Sequence, residues 1–590
     1  MSSRARDGIL GLLLALAIFL AMGLWMQARV FAFAEELMLH TTPRVAALSP
    51  EQPASGPLRW EPSCGDSPAP ATLLSPHRRP THSLCSGGRR YPLIVASYMA
   101  GYFYWPFAWF SPWHHDDLLS LRRIASIFGL VDITLTFLVL RRLGARTLAP
   151  LAAIAIAVSP CFLVTHSALV HFETLPWTFL MAAVLALSGC RALSASPPDG
   201  AEPRAPTSRL LLGALFLGLS LAANLKAIFA IGPALFVALR LGVRLRPIKP
   251  SQWMGIVAAG ALPLAPSLWF ALSHPSMFLA GDKSGDMGSA LRQSLVHPER
   301  LLGTLGDMLM FWSNLGRYMD PRGVAPLDVL AYAIAAAAFL FVVIDGARTL
   351  RRRRGCPITA ATAAIVVAHL LMLFLLVQSY PINFTPLHAT FGVSAALAAH
   401  RLSAWLAPER PRLALLSTSL AVVPFVVASI RSGQALHAIP APFNLFAEQR
   451  LVEHLRAVDP GDGKIHTVST ENLMTGVVVS MSRGHLHVAE AQDYLIGCRH
   501  RRRDDPSLVT GAACYEARYR RILEGLPGEV RFVLPADIEV LRDRSRQGAA
   551  AAMREGLMSA ARALGKRATI EATFGTAAGI PAIVVVRVDS

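Results

Sequence analysis

Residues 8–26 read GILGLLLALAIFLAMGLWM, an apolar run without a single charge. A helical run of about 20 apolar residues crosses a hydrocarbon core of about 30 Å. Arg4 and Arg6 precede the run, and no clean small-residue cleavage site follows it. We therefore interpret it as a retained membrane helix with a cytoplasmic N-terminus rather than as a cleaved signal peptide.

Similar runs recur along the chain, in which 53% of the residues are hydrophobic and 16% charged. Soluble domains carry about 25% charged residues, so a soluble fold is excluded for most of the chain. The further candidate spans are 122–140, 148–164, 174–190, 209–223, 227–240, 251–272, 326–345, 358–378, 385–400 and 413–430. The sequence thus predicts a polytopic α-helical membrane protein with about eleven transmembrane helices, all within a transmembrane domain 1–430. The short spans 209–223 and 227–240 form either a hairpin or one broken helix.

The net charge of +18 is distributed as in a membrane protein and predicts no nucleic-acid partner. Basic residues cluster in alternate loops: Arg141, Arg142 and Arg146; Arg191, Arg204 and Arg209; Arg240, Arg244, Arg246 and Lys249; Arg348 and the run 351–354; Arg401, Arg410 and Arg412. The intervening turns 165–173 and 379–384 contain neither Lys nor Arg. Since basic loops stay in the cytoplasm, 29–120, 273–325 and 431–590 are predicted to lie outside. The aromatic segment 91–110 is interpreted as interfacial, although a full crossing there would invert everything downstream.

The region 431–590 is more polar and is predicted to be a soluble, extracytoplasmic α/β domain. Its short apolar runs predict strands at 465–469, 486–488, 530–534 and 582–588, and helices at 471–482 and 547–564.

Four cysteines fall in the predicted outer regions as two pairs, Cys64 with Cys85 and Cys498 with Cys514. Even numbers in an oxidising compartment predict disulfides. A zinc site is disfavoured because neither pair has the short spacing of zinc-binding cysteines.

Two adjacent carboxylates, Glu35 and Glu36, follow the first helix. Partial desolvation at a membrane face raises the basicity of a carboxylate, as general-base catalysis requires. The alternative is that the two residues merely end the helix in water.

Several other polar residues are candidates for binding a phosphate or a sugar. His166, His171 and Glu173 lie in or beside an outer turn, where they contact substrate, ligate a metal or are simply interfacial. Lys226 sits between two half-spans, where it pairs with a lipid phosphate or snorkels to the surface. Arg89 and Arg90 either grip phosphate or meet anionic lipid. No cofactor is assigned; the acidic pairs Asp116–Asp117 and Asp282–Asp286 leave a divalent metal possible, with solvated loops favoured.

The order of several short motifs resembles the membrane glycosyltransferases of GT-C architecture, in particular the bacterial family 39 branch. That branch includes the protein O-mannosyltransferases and the lipid A aminoarabinose transferase. The motifs are Glu35-Glu36, Tyr91-Pro92-Leu93, LRRIASIFG at 121–129, RRLGAR at 141–146 and Ser159-Pro160. The resemblance covers 1–240 well and 355–400 loosely. Glu35 departs from the Asp that the family has at the first acidic position.

The resemblance implies transfer of a sugar from a polyprenyl-phosphate donor to a lipid, glycan or protein acceptor outside the bacterial inner membrane. Glu35 or Glu36 would be the base, and the turn that contains His166, His171 and Glu173 would face the active site and contact donor phosphate or sugar. Lys226, Arg89 and Arg90 are further candidates for binding the donor, on their chemistry alone. The resemblance also implies that the turn containing Tyr380 and preceding His388 closes over the donor. A transporter or flippase of lipid-linked glycan is an alternative, but it would place ionisable groups at the midplane of repeated halves. A non-catalytic membrane scaffold is another.

Overall fold

The structure is a computed structural model, and not every residue is described. The described residues are 3–27, 45–47, 60–62, 68–70, 82–86, 89–96, 99–100, 102, 105–109, 118–168, 174–188, 207–241, 249–273, 326–353, 356–376, 385–406, 423–424, 426–427, 429–431, 445–462, 465–470, 478, 481–482, 486, 488–491, 495, 498, 511–526, 528–536, 549–575, 579 and 581–589.

Long apolar helices form the first part of the chain. In chain order the helices before residue 410 are α1 (Ser3–Gln27), α2 (Trp105–Trp109), α3 (Leu118–Arg142), α4 (Leu148–Ala157), α5 (Pro160–Leu163), α6 (Thr174–Ser188), α7 (Thr207–Ala223), α8 (Ile228–Arg240), α9 (Pro250–Ala261), α10 (Ala265–Ser273), α11 (Pro326–Arg352), α12 (Pro357–Leu376) and α13 (Thr385–Leu406). Within the described residues, three stretches are long and apolar enough to cross a membrane: Asp7–Gln27, Leu119–Arg142 and Val329–Arg352.

The predicted spans up to residue 400 each fall on one helix or on two consecutive helices. The last, 413–430, lies largely outside the described residues. The membrane character is visible on the surface: α9 has no buried residue, and Met254, Val257 and Leu272 are exposed. Such a large apolar surface suits contact with lipid rather than water. The protein is therefore a helical membrane protein, while the number of crossings stays a prediction.

Helix α4 is the centre of the membrane domain, with seven of its ten residues buried. It packs against α1, α3 and α13. Small residues allow the close approach, as at Gly392, where an added Cβ would lie 2.8 Å from the backbone nitrogen of Ile156.

The predicted span 148–164 is broken near its outer end. α4 ends at Ala157, and Pro160 begins α5, since proline fits the first turn of a helix but not its interior. The hydroxyl of Ser429 donates to the carbonyl of Val158 at 2.8 Å, which satisfies a backbone acceptor exposed by the break. A π-helical turn, Val164–Ala168, then completes the element. π-Helical turns are frequent at functional sites.

The second part of the chain contains a sheet with helices on both faces. Its helices are α14 (Leu445–Val458), α15 (Ala512–Gly525) and α16 (Ala549–Ala563). The strands of the whole chain are β1 (Val45–Ala47), β2 (Trp60–Pro62), β3 (Pro68–Pro70), β4 (His82–Ser86), β5 (Arg89–Ala96), β6 (Met99–Ala100), β7 (Thr467–Ser469), β8 (Val488–Glu490), β9 (Val530–Pro535), β10 (Ala568–Gly575) and β11 (Pro581–Val588). The six-stranded sheet has the order β1-β8-β7-β9-β11-β10.

Alternation along the central strands builds the two faces of this sheet. Phe532 and Val586 belong to the apolar cluster that contains α15 and α16, whereas Val533 and Val585 belong to the cluster that contains α14. This period of two is what a sheet buried on both faces requires. The strands predicted at 465–469, 486–488, 530–534 and 582–588 are observed, with shifted ends. The predicted helix 547–564 corresponds to α16, and most of 471–482 lies outside the described residues. The helices α14 and α15 and the strands β1 and β10 were not predicted.

Strand β1 belongs to the loop that follows α1, yet it forms the edge of this sheet. It pairs in parallel with β8, with Val45 opposite Val488 and Ala47 opposite Glu490. Hydrogen-bonded strands cannot lie on opposite sides of a bilayer. The loop after α1 and the C-terminal sheet therefore share one side of the membrane, which agrees with the prediction that both are outside.

The predicted interfacial segment 91–110 is not one continuous helix. Strands β4, β5 and β6 form an antiparallel sheet, followed by Tyr102 and the short helix α2. The sheet contacts α7 and α10, and the Tyr102 hydroxyl donates to the carbonyl of Pro263 at 3.0 Å. The described part of this segment thus packs on helix ends and contains no helix long enough to cross a membrane.

Candidate functional site

The structure describes some of the predicted site residues and leaves others out. Glu35, Glu36, His171, Glu173 and Tyr380 lie outside the described residues, as does Cys64. Arg89 and Arg90 begin β5, where they pair with Ser86 and Cys85 of β4. His388 lies in the first turn of α13. His166 and Lys226 are both in turns between helices, and each belongs to a polar group described below.

A buried hydrogen-bond network fixes the end of α1. The Gln27 side-chain amide donates to the Ser126 hydroxyl at 2.7 Å and to the Ser167 carbonyl at 2.9 Å. The Arg122 guanidinium donates to the backbone carbonyl of Gln27, and the Ser126 hydroxyl donates to the carbonyl of Arg122 at 3.0 Å. All four residues are buried, so each bond acts without competition from water. The network joins α1, α3 and the π-helical turn just before the segment that contains Glu35 and Glu36.

This network also explains the sequence LRRIASIFG at 121–129. Arg122, Ser126 and Gly129 are spaced i, i+4 and i+7 and lie on one face of α3. Arg122 and Ser126 bind the end of α1. At Gly129 a Cβ would lie 2.9 Å from the carbonyl oxygen of His166 and would also overlap Phe19. The motif therefore holds α1 and the π-helical turn against α3.

His166 lies inside the protein, paired with a carboxylate. Its Nε2 is 3.2 Å from Oδ2 of Asp132, and neither side chain is exposed. Its Nδ1 is 2.8 Å from the Thr165 hydroxyl, and its ring stacks on Phe162 with centroids 3.8 Å apart. Sequence analysis did not select Asp132, although a carboxylate inside the apolar run 122–140 is a signal of function in itself.

Lys226 occupies a short 3-10 turn, Leu225–Ala227, between α7 and α8. The side chain of Asn224 accepts from the backbone nitrogen of Lys226 at 3.0 Å, which stabilises the turn. α7 packs on α6 and α9, whereas α8 packs on α12. The two half-spans thus form separate helices with different neighbours.

The helix that follows Lys226, α8, packs on α12, which contains His369, a residue that sequence analysis did not select. His369 is buried, with Nδ1 2.8 Å from the carbonyl of Ile365 and its ring 6.4 Å from that of Phe229. Its Nε2 has no hydrogen-bond partner within the described part of the chain. Lys226 and His369 therefore lie on adjoining elements and offer a cation and a potential hydrogen-bond donor, the groups that an anionic ligand would require.

The described residues contain no group of three or more His, Cys, Asp or Glu side chains placed to hold a metal ion. His171, Glu173, Asp116, Asp117, Asp282 and Asp286 lie outside those residues.

The helical arrangement, with its outer sheets, defines a GT-C-like membrane fold, as the sequence predicted. It is similar to the crystal structure of ArnT from Cupriavidus metallidurans bound to undecaprenyl phosphate, with a TM-score of 0.53 and 12% sequence identity over 99% of this chain and 98% of that one. It is also similar to the Archaeoglobus fulgidus oligosaccharyltransferase tethered with an acceptor peptide, with a TM-score of 0.51 and 12% identity over 93% of this chain and 71% of that one. No protein-family model and no curated protein matches the sequence.

Proposed function

We propose that the protein is a glycosyltransferase that moves a hexose or pentose from a polyprenyl-phosphate donor to a lipid, glycan or protein acceptor. The reaction takes place at the outer face of the bacterial inner membrane. The structurally similar ArnT was captured with undecaprenyl phosphate, and the oligosaccharyltransferase with an acceptor peptide. Both ligands fit the proposed chemistry of a donor in the membrane and an acceptor outside it.

The observation that carries the proposal is that the chain is anchored on both sides of Glu35 and Glu36. Gln27, on one side, is hydrogen-bonded to α3 and the π-helical turn. Val45, on the other side, is paired with Val488 in the C-terminal sheet. The acidic pair therefore belongs to a segment between the membrane helices and the outer sheet, where a lipid-linked donor and an external acceptor would meet.

In the proposed reaction, an acceptor oxygen attacks the anomeric carbon of the donor sugar. A new carbon–oxygen bond forms, the bond to the lipid phosphate breaks, and Glu35 or Glu36 takes the acceptor proton. Negative charge develops on the departing phosphate, so cationic and hydrogen-bonding groups lower the barrier. Lys226 with His369 is the best described candidate for this role. Arg89, Arg90, His171, Glu173, Tyr380 and His388 are further candidates for binding the donor.

The proposed topology places the N-terminus in the cytoplasm and about eleven crossings within 1–430, with 431–590 outside. Support comes from the alternation of basic loops and from the pairing of β1 with β8. It also comes from the disulfide between Cys498 and Cys514, because disulfides persist in oxidising compartments.

The test uses the full-length protein in lipid nanodiscs supplied with undecaprenyl phosphate linked to a hexose or a pentose. Release of undecaprenyl phosphate, in the presence of a membrane-lipid extract as acceptor, measures turnover. Either Glu35→Gln or Glu36→Gln should lower turnover by about 10²-fold or more, the scale for losing a general base. Glu555→Gln, at an exposed position of α16, is the matched control.

Full turnover by the folded double variant Glu35→Gln/Glu36→Gln would show that the base lies elsewhere. Mass analysis of membrane lipids and surface glycans in a deletion strain tests the function itself. The proposal would be overturned if the membrane lipids and surface glycans of that strain are unchanged and the wild-type protein releases undecaprenyl phosphate from no donor.

A further inference from the structure

We infer that Asp132 is a positioning residue that acts through His166: their buried pair sets the orientation of the π-helical turn Val164–Ala168, and with it the residues that follow. The effect of this pair on turnover rests on the proposed glycosyltransferase function, whereas its effect on the orientation of the turn does not.

Both nitrogens of the His166 ring face polar groups of the protein. Nε2 faces the Asp132 carboxylate at 3.2 Å, and Nδ1 faces the Thr165 hydroxyl at 2.8 Å. One ring face is covered by Phe162. A direct contact between His166 and a donor would therefore require separation of the pair and would leave the polar side chain of Asp132 without this partner in an apolar interior, which is costly. This geometry indicates that His166 supports the residues that contact the substrate and does not itself contact the substrate.

The turn is held against two helices by close backbone contacts. Gly129 of α3 leaves room for the His166 carbonyl, and at Gly23 of α1 a Cβ would lie 2.7 Å from the Ser167 hydroxyl. The Ser167 carbonyl also accepts from Gln27. These contacts fix where the turn lies, and the pair with Asp132 adds a directional restraint on the side chain of its central residue.

Apolar packing alone would not need a carboxylate here. The adjoining face of α3 already contributes buried Ile133, Phe137 and Leu140 to the core. A buried polar pair is often no more stabilising than apolar residues of similar volume, and in some proteins such a pair instead specifies one arrangement. Ionisable residues within membrane segments are by default associated with function. The pair is thus better explained by the orientation that it imposes than by the stability that it adds.

The orientation matters because Ala168, the last residue of the turn, is followed within a few residues by His171 and Glu173. Misplacement of a reacting group by about 1 Å costs as much as 10²-fold in rate. Loss of the pair should therefore lower kcat/KM for the donor, and removal of either partner should lower it to a similar extent, because both changes release the same turn.

The experiment compares Asp132→Leu, Asp132→Asn, His166→Phe and the exchanged pair Asp132→His/His166→Asp with the wild-type protein. Ser394→Ala is the matched control, since Ser394 is buried and its hydroxyl donates only to Thr390 of the same helix at 2.8 Å. For each variant, kcat and KM are measured with an undecaprenyl-phosphate sugar, and folding is followed by size exclusion and thermal unfolding.

A second readout does not depend on activity. Val170→Cys is introduced into each variant, and its labelling by a membrane-impermeant maleimide is followed by peptide mass spectrometry. Asp132→Leu and His166→Phe should change the labelling rate about fivefold or more and lower kcat/KM for the donor about tenfold or more, to a similar extent in both. Asp132→Asn keeps a polar partner for His166 and should lose less. The exchanged pair should recover part of both losses, and Ser394→Ala should change neither.

Unchanged kcat/KM and labelling in folded Asp132→Leu would overturn the inference. So would a fall in kcat/KM in folded His166→Phe with none in Asp132→Leu, which would make His166 a donor ligand. Failure of the exchanged pair to recover more than the single variants would also count against it. If the wild-type protein transfers no sugar, the proposed function fails, while the labelling rates still decide whether Asp132 positions the turn.

Discussion

Val45, in the loop after the first membrane helix, pairs with Val488 at the edge of the C-terminal sheet. The pairing continues through Ala46 with Ala489, and Ala489 also pairs with Val468 on its other side. The loop after α1 and the C-terminal sheet therefore share one backbone hydrogen-bond ladder.

This ladder predicts a specific cross-link. Neighbouring strands lie about 4.8 Å apart, within the Cα separation that a disulfide spans. Ala46→Cys with Ala489→Cys should therefore form a disulfide in the cell envelope, detected as a cross-linked peptide by mass spectrometry. Ala46→Cys with Val468→Cys is the control, since these positions are two strands apart, roughly twice that distance. Absence of the first cross-link, or equal yield of both, would contradict the described register.

The Gln27 network predicts a measurable loss of stability. Gln27→Met keeps the volume of the side chain but leaves the Ser167 carbonyl without the amide donor, at a cost of about 1–3 kcal/mol. Ser126→Ala removes the other partner, and the double variant should lose less than the sum, because the two residues share one bond. Unfolding in mixed micelles provides the measurement. Thr134→Val, whose hydroxyl donates within α3 to Leu130 at 2.8 Å, should have a smaller effect. A strictly additive double variant would argue against the bond.

The sequence predicted the elements whose signal is local. Long apolar runs identified the membrane helices, and short apolar runs identified strands such as Val530–Pro535 and Pro581–Val588. Helix Ala512–Gly525 was missed although its signal was present: Tyr515, Tyr519, Ile522 and Leu523 recur at helical spacing and are all buried. The helix also contains many charged residues, and these obscured the helical spacing of its apolar residues in the sequence.

What could not be predicted depends on contacts between distant residues. Val45–Ala47 is too short to indicate a strand by itself, and its partner lies at the other end of the chain. The apolar run 122–140 displays Asp132, but nothing in the sequence identifies His166 as its partner. The distance between His166 and Asp132 depends on helix α4, the break at 158–159 and the π-helical turn together.

The disulfide predicted between Cys498 and Cys514 is confirmed, with a Cα separation of 5.5 Å. It links the chain before α15 to the first turn of that helix. Closing a loop of 16 residues stabilises a fold by about 3 kcal/mol in the chain-entropy model, so Cys498→Ser/Cys514→Ser should unfold at a lower temperature. Cys356→Ser, at the free cysteine before α12, should not. Ready alkylation of both thiols in the non-reduced wild-type protein would show that the bond does not form in the cell.

The final prediction concerns Lys226. It lies in the turn that directly precedes α8, which packs on the helix that contains His369, and we expect both residues to meet the phosphate of the lipid donor. Losing a charged hydrogen bond costs about 1.5–3 kcal/mol, so Lys226→Met should raise donor KM or lower kcat/KM by roughly 10- to 100-fold. Lys226→Arg should retain part of the activity, because the positive charge remains although its geometry differs.

Lys249→Met is the matched control, since Lys249 is an exposed lysine at the start of α9. His369→Gln should weaken donor binding as well, and its effect should be smaller in the Lys226→Met background, because the two residues would share one ligand. The measurement is the dependence of undecaprenyl-phosphate release on donor concentration. Equal kcat/KM for Lys226→Met and Lys249→Met, with both proteins folded, would mean that Lys226 only snorkels to the membrane surface, and the donor phosphate would have to be sought near Arg89 and Arg90.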